Sequence, residues 1–167
     1  MWHWSPLKTG LAIAPGPLMV PGFVVIVGPL IRRFGAAAVS AVGCVLFGLG
    51  IAWWIYRLDA GHDYAAGLLP GMLLTGIGVG MVVPTLVGAA VSALPPQSFS
   101  TGSAVVTMAR QVGSVLGVAL LIAFLGTPGE GDIVTAFDHG WEFTLAAAAA
   151  AMVACFFIPR PAKKAEV

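Results

Sequence analysis

Five long apolar stretches, at about residues 11–31, 36–56, 67–94, 102–126 and 143–158, alternate with short segments that hold nearly all of the charge. Crossing roughly 30 Å of hydrocarbon at 1.5 Å per residue takes about 20 residues of helix. The first four stretches reach that length; the fifth is shorter, and its ends are the least defined. All five are continuous runs, whereas membrane strands show segments of about 10 residues that alternate apolar and polar. The pattern therefore predicts an all-α fold, a polytopic membrane bundle of five transmembrane helices. Residues 1–10 read as a short leading segment, 11–158 as the bundle and 159–167 as a tail.

Composition sharpens this reading. The chain is 59% hydrophobic and 9% charged, with a mean hydropathy of +0.97, against about 25% charged in an average soluble domain. Lipid is the partner that such a surface demands. A net charge of +1 without a basic stripe excludes nucleic acid. The two cysteines, Cys44 and Cys155, fall inside predicted spans and read as small apolar residues, with no disulfide expected. The opening MWHWSPLKTG has no signal-peptide pattern. It reads as the end of a loop, with Trp2 and Trp4 as interface residues and with further sequence expected before it.

The charges set an orientation. Arg32 and Arg33 follow the first stretch, and Arg160, Lys163 and Lys164 follow the fifth, so five crossings place all of them on one side; Lys8 and Arg57 lie opposite. The positive-inside rule then expects a cytoplasmic C-terminus and an external N-terminus. Trp2, Trp4, Trp53, Trp54 and Trp141 all fall at the external ends of the stretches, as interface aromatics would. Pro15, Pro17, Pro21 and Pro29 in the first stretch and Pro84 in the third predict kinks, tolerated where neighbouring helices re-satisfy the freed backbone. Gly76 with Gly80, and Gly113 with Gly117, form four-residue stripes suited to close helix approach; packing within the bundle is preferred over a dimer face.

Two stretches go beyond composition. Gly28-Pro29-Leu30-Ile31-Arg32-Arg33-Phe34-Gly35 resembles the short cytoplasmic loop that joins neighbouring helices in each half of the major facilitator superfamily. The run Gly76-Ile77-Gly78-Val79-Gly80 with Pro84-Thr85, followed by Ala109-Arg110-Gln111-Val112-Gly113 and Gly117, resembles the closing helices of the fourteen-helix drug:proton antiporters of the EmrB/QacA type. Trp4-Ser5-Pro6-Leu7-Lys8-Thr9-Gly10 is similar to the start of the tenth helix there. The resemblance implies a partial C-terminal half of a major facilitator fold, its last five helices, with the N-terminal half supplied by a missing segment or a companion chain. It also implies amphipathic, drug-like substrates for the complete transporter and residence in the inner or plasma membrane. The loop departs from the family pattern at Arg32, where an acid is usual, and at Ala37, where a base is usual.

By the same resemblance the third stretch lines a central cavity, which makes Met72, Thr75, Met81 and Thr85 candidates for substrate lining; the plainer reading of Met and Thr on a membrane helix is packing. No acid falls inside a stretch, so the chain is expected to hold no proton carrier of its own. Arg110 is the one intramembrane charge. It either snorkels to the headgroups or faces the bundle, and its place on one face with Gly113 and Gly117 favours the second. His62 beside Asp63, and Asp138 beside His139, lack the further ligands of a metal site, so no metal or cofactor is expected. There is no nucleophile elbow, phosphate loop or H-E-x-x-H, and so no catalytic residue. The leading expectation is the C-terminal part of a proton-coupled multidrug efflux transporter, not competent alone. The alternative is a non-transporting membrane subunit that modulates a larger transporter.

Overall fold

The computed structural model describes residues 5–57, 64–92, 94–125 and 133–157, with backbone alone at 96 and 133–138. Trp2, Trp4, His62, Asp63 and the basic residues of the tail lie outside the described residues. Among the described residues six α-helices follow in order: α1 Pro6–Ile13, α2 Pro15–Phe34, α3 Ala36–Arg57, α4 Leu69–Ser92, α5 Phe99–Leu125 and α6 Ile133–Cys155. Among the described residues there is no strand, as the continuous apolar runs require.

Helices α1 and α2 act as one element. Ala14 between them keeps helical torsions, and its N–H donates to the Gly10 carbonyl. Pro15, at the start of α2, interrupts the ladder there because it has no N–H to give. Together, Pro6–Phe34, Ala36–Arg57, Tyr64–Ser92 and Phe99–Leu125 are four helices long and apolar enough to cross a membrane. Helix α6 is as long as α3 or longer, but Asp138, His139 and Glu142 in its first half lower its average hydropathy. It begins at Ile133, ten residues before the fifth apolar stretch.

One residue, Gly35, separates α2 from α3. Its φ of 85° and ψ of 157° lie where only glycine sits without strain, and its N–H donates to the Ile31 carbonyl at 2.8 Å. This reverses the chain so that α3 returns antiparallel to α2. At the other end of α3 a π-helical turn, Tyr64–Leu68, leads into α4.

Helix α4 sits in the middle, packed mainly on α3 and next on α2, while α3 also meets α6. Glycines allow this closeness. A Cβ on Gly78 would lie 2.6 Å from the Gly43 carbonyl oxygen, and one on Gly50 would lie 2.8 Å from that of Gly71. On the opposite side, a Cβ on Gly76 would collide with the Gly16 carbonyl, and one on Gly80 would meet Val20 and Phe23. With no hydrophobic driving force between helices in lipid, such backbone contact is what holds them together. The core is small, formed by Val27, Val39 and Met81 with Phe23, Leu30, Ile31, Leu46 and Ile77 around them. Large apolar residues such as Val25, Met108 and Val115 point outward. Water penalises such a surface and lipid does not.

Helix α5 differs from the rest. It contains no buried residue and touches α6, α4 and the short turn before it only lightly.

Candidate functional site

In hydrocarbon every polar group needs a partner within the protein, and several threonine hydroxyls find theirs on their own helices. Thr75 Oγ1 donates to the Gly71 and Met72 carbonyls at 2.9 and 3.1 Å, and Thr85 Oγ1 donates to the Met81 carbonyl at 2.6 Å. Thr107 and Thr144 make the same one-turn bond. Among the described residues, Ser40 is the one whose buried side-chain oxygen has no hydrogen-bond partner: it is fully buried on α3.

The four candidate lining residues sit on the packed faces of α4. Met72 is buried beside Gly16 of α2, Met81 closes the core between α2 and α3, and Thr85 is wholly enclosed. Thr75 is half-buried, its methyl against the face of Gly50 on α3. In this arrangement of helices they are brought together as packing residues, and both threonine hydroxyls are already engaged. The glycine stripe of α4 behaves likewise, Gly76 and Gly80 being pressed against α2. Gly113 and Gly117 on α5 have no atom within 4 Å of an added Cβ apart from their own helix backbone and chain neighbours. Two further pairs, Gly43 with Gly50 and Gly71 with Gly78, fit α3 to α4 and escaped the sequence reading. Their seven-residue spacing was the available signal.

The two ends of the bundle have different chemistry. At one end Trp53 and Trp54 donate their ring N–H groups to the Gly67 and Leu68 carbonyls at 3.2 and 3.1 Å, and the Tyr64 hydroxyl donates to the Ala12 carbonyl at 2.6 Å. Trp141 lies against Trp54 with ring centroids 5.4 Å apart, and the Arg57 guanidinium lies over Trp53. This is an interfacial aromatic belt. Glu142, next to Trp141, is exposed at the same level. The first turns of α6, with Asp138, therefore extend past the belt. At the other end Arg32 and Arg33 occupy the last turn of α2, where the helix dipole favours positive charge, and Arg33 lies over Phe34. Gly28 has open space around it, and Gly35 makes the turn.

Arg110 projects from α5, exposed, with no ion pair or hydrogen bond among the described residues. No group of three His, Cys, Asp or Glu that could hold a metal occurs among them either. A cavity of about 280 Å³ opens between α3, α4 and α6, with Cys44, Phe47, Val79, Val82, Thr144 and Ala148 on its walls. It includes none of the four candidate lining residues.

Comparison with known proteins agrees with the helical pattern. The sequence profile described as "Major Facilitator Superfamily" matches residues 2–167. Over 123 residues the chain is 32% identical to a "Multidrug resistance protein B homolog" of Mycobacterium tuberculosis, covering 74% of this chain and 23% of that protein. It is 33% identical over 128 residues to the "Puromycin resistance protein pur8" of Streptomyces alboniger, covering 71% and 24%. To the "Cephamycin export protein CmcT" of Amycolatopsis lactamdurans it is 28% identical over 137 residues, covering 81% and 28%. The chain thus spans about a quarter of the length of the curated relatives it matches. No solved structure matches it. A multi-pass membrane bundle whose sequence matches the family profile almost from end to end, the chain belongs to the Major Facilitator Superfamily.

Proposed function

We propose that this chain is the C-terminal five-helix part of a proton-coupled multidrug efflux transporter of the EmrB/QacA type, and that it does not transport alone. The observation that carries the reading is α5. It is a 27-residue helix, apolar enough to span a membrane, with no buried residue and with a lone arginine on its glycine-bearing face. Such a face suits close contact with further helices, and relatives about four times the matched length have sequence to supply them. Transporters of this kind rock two halves about a midplane site, and five helices make less than one half. The acids of the described helices, Asp138 and Glu142, lie in the first half of α6, at the aromatic belt or past it, so the proton carrier belongs to the remainder of the protein. Substrates are amphipathic drugs or related metabolites, in line with relatives named for multidrug and puromycin resistance and for cephamycin export.

Expression of the chain alone in cells lacking related transporters is expected to leave drug sensitivity and ethidium efflux unchanged. Expression of a complete transporter that ends in this sequence is expected to lower ethidium accumulation in a proton-gradient-dependent way. Export by the chain alone overturns the reading and favours a self-assembling small exporter.

A further inference from the structure

Cys44 lies eight residues into α3, and Cys155 is the last residue of α6. Although 111 positions apart in sequence, their Sγ atoms stand 3.9 Å apart, both residues are buried and both are reduced. They are the only two cysteines of the chain. Cys44 is also on the wall of the apolar cavity between α3, α4 and α6. A thiol pair across a helix interface and an apolar space leading to it are two separate observations, and the transport reading uses neither.

Distance and redox balance bear on the chemistry. A disulfide needs the sulfurs about 2.05 Å apart, which from 3.9 Å takes a side-chain rotation and a two-electron oxidant. A single soft atom bonded to both sulfurs at roughly 2.3 Å, the length of a metal–thiolate bond, spans roughly 3.3 Å when its bonds are perpendicular and roughly 4.6 Å when they are in line. The observed 3.9 Å lies inside that range. Charge narrows the choice further. Zinc expects four ligands, and no third His, Cys, Asp or Glu is grouped with the pair among the described residues. A monovalent soft ion on two thiolates leaves a net negative charge in apolar surroundings, which is costly. A trivalent arsenic that carries one organic group and bonds both sulfurs is neutral; its near-perpendicular bonds of roughly 2.3 Å hold the sulfurs roughly 3.3–3.5 Å apart, so the pair closes by only about half an ångström from 3.9 Å.

We propose that Cys44 and Cys155 form a two-thiol site for a trivalent organoarsenical, which bridges α3 to α6 and places its apolar group in the adjoining cavity. With phenylarsine oxide the two S–H bonds and the arsenic–oxygen bond break and two arsenic–sulfur bonds form. The oxygen leaves as water with both thiol protons, and no atom changes oxidation state. A phenyl ring fits a cavity of about 280 Å³.

The test uses the full chain in membrane vesicles, titrated with phenylarsine oxide, then unfolded and alkylated so that remaining thiols are counted by intact mass. At one equivalent the expected product has both thiols protected together, resists excess 2-mercaptoethanol and is released by 1,3-propanedithiol. Cys44→Ser and Cys155→Ser are each expected to raise the half-protecting concentration of the remaining thiol by 100-fold or more, because the second bond in the wild type forms intramolecularly. Predominance of singly protected chains at one equivalent overturns the proposal, as does an adduct that the monothiol strips from the wild type as readily as from the variants. If a variant fails to reach the membrane, the wild-type ratio of doubly to singly protected chains decides alone.

Discussion

At Gly78 the atoms nearest to an added Cβ belong to the backbone of α3, the Gly43 oxygen at 2.6 Å and the Phe47 nitrogen at 2.8 Å. Backbone cannot rotate away as a side-chain tip can, so Gly78→Ala has to push α4 from α3. Overpacking of this kind costs about 1–3 kcal/mol. The midpoint of SDS-induced unfolding in mixed micelles is expected to fall for Gly78→Ala and not to fall for Gly22→Ala, where nothing lies within 4 Å and alanine is the better helix former. A different balance operates at Arg110. It is the twelfth residue of α5, about 16 Å from the helix start at 1.5 Å per residue. An arginine at such depth costs at least about 2.5–3.5 kcal/mol on insertion scales unless it is paired or reaches water. The described residues offer it no partner. If a carboxylate or freed carbonyl of the complete transporter binds its planar fork, Arg110→Lys keeps the charge, loses the bidentate geometry and lowers transport. Normal transport by both Arg110→Lys and Arg110→Ala, at normal abundance, would mean that the side chain merely snorkels to the headgroups.

Helix ends show what the sequence could reveal about the fold. The apolar runs made the existence of α2 to α5 legible because an uninterrupted run of that length has no other stable home. The start of α6 was hidden. Asp138, His139 and Glu142 end the apolar run, yet the backbone goes on in helical form past the Trp54–Trp141 contact, where hydropathy no longer reports on structure. Gly35 was legible as a turn, since a glycine between two runs admits the positive φ observed. The pairing of Gly43 with Gly78 and of Gly50 with Gly71 was not, because the register of one helix against another is written in neither alone. Nor was the enclosure of Met72, Met81 and Thr85, since periodicity does not say whether a face meets protein or cavity. Orientation belongs to this scale too. The ends of α3 and α6 that hold Trp53, Trp54 and Trp141 form one rim, and the end of α2 with Arg32 and Arg33 lies at the other. Positive charge retained inside predicts that a reporter fused after Val167 reads as cytoplasmic, and that tags near Gly61 and Gly131 are reached from outside. Protection of the Gly61 tag in intact cells would invert the assignment.

For the molecule as a whole, the unequal packing of its helices is the informative feature. Helix α4 is held on two faces by glycine contacts, whereas α5 carries Gly113 and Gly117 with nothing against them and has no buried residue. Lipid accepts a bare apolar helix, so exposure of Val115 or Met108 alone means little. Glycine is different, because in a helix interior it costs about 1 kcal/mol against alanine and in a membrane it repays that cost where a second backbone comes close. The two glycines share their face with Arg110, the only charge in mid-helix on α5. Under the proposed function that face meets helices that the five described here do not include. Gly113→Leu therefore separates the two contexts. In the isolated chain it should not lower the SDS unfolding midpoint, since the added side chain enters open space and leucine is the better helix former. In a complete transporter that ends in this sequence, the same substitution should obstruct a helix contact and lower ethidium export at unchanged abundance. Destabilisation of the isolated chain would mean that α5 already packs within it, and normal export by the complete Gly113→Leu protein would mean that this face meets lipid alone.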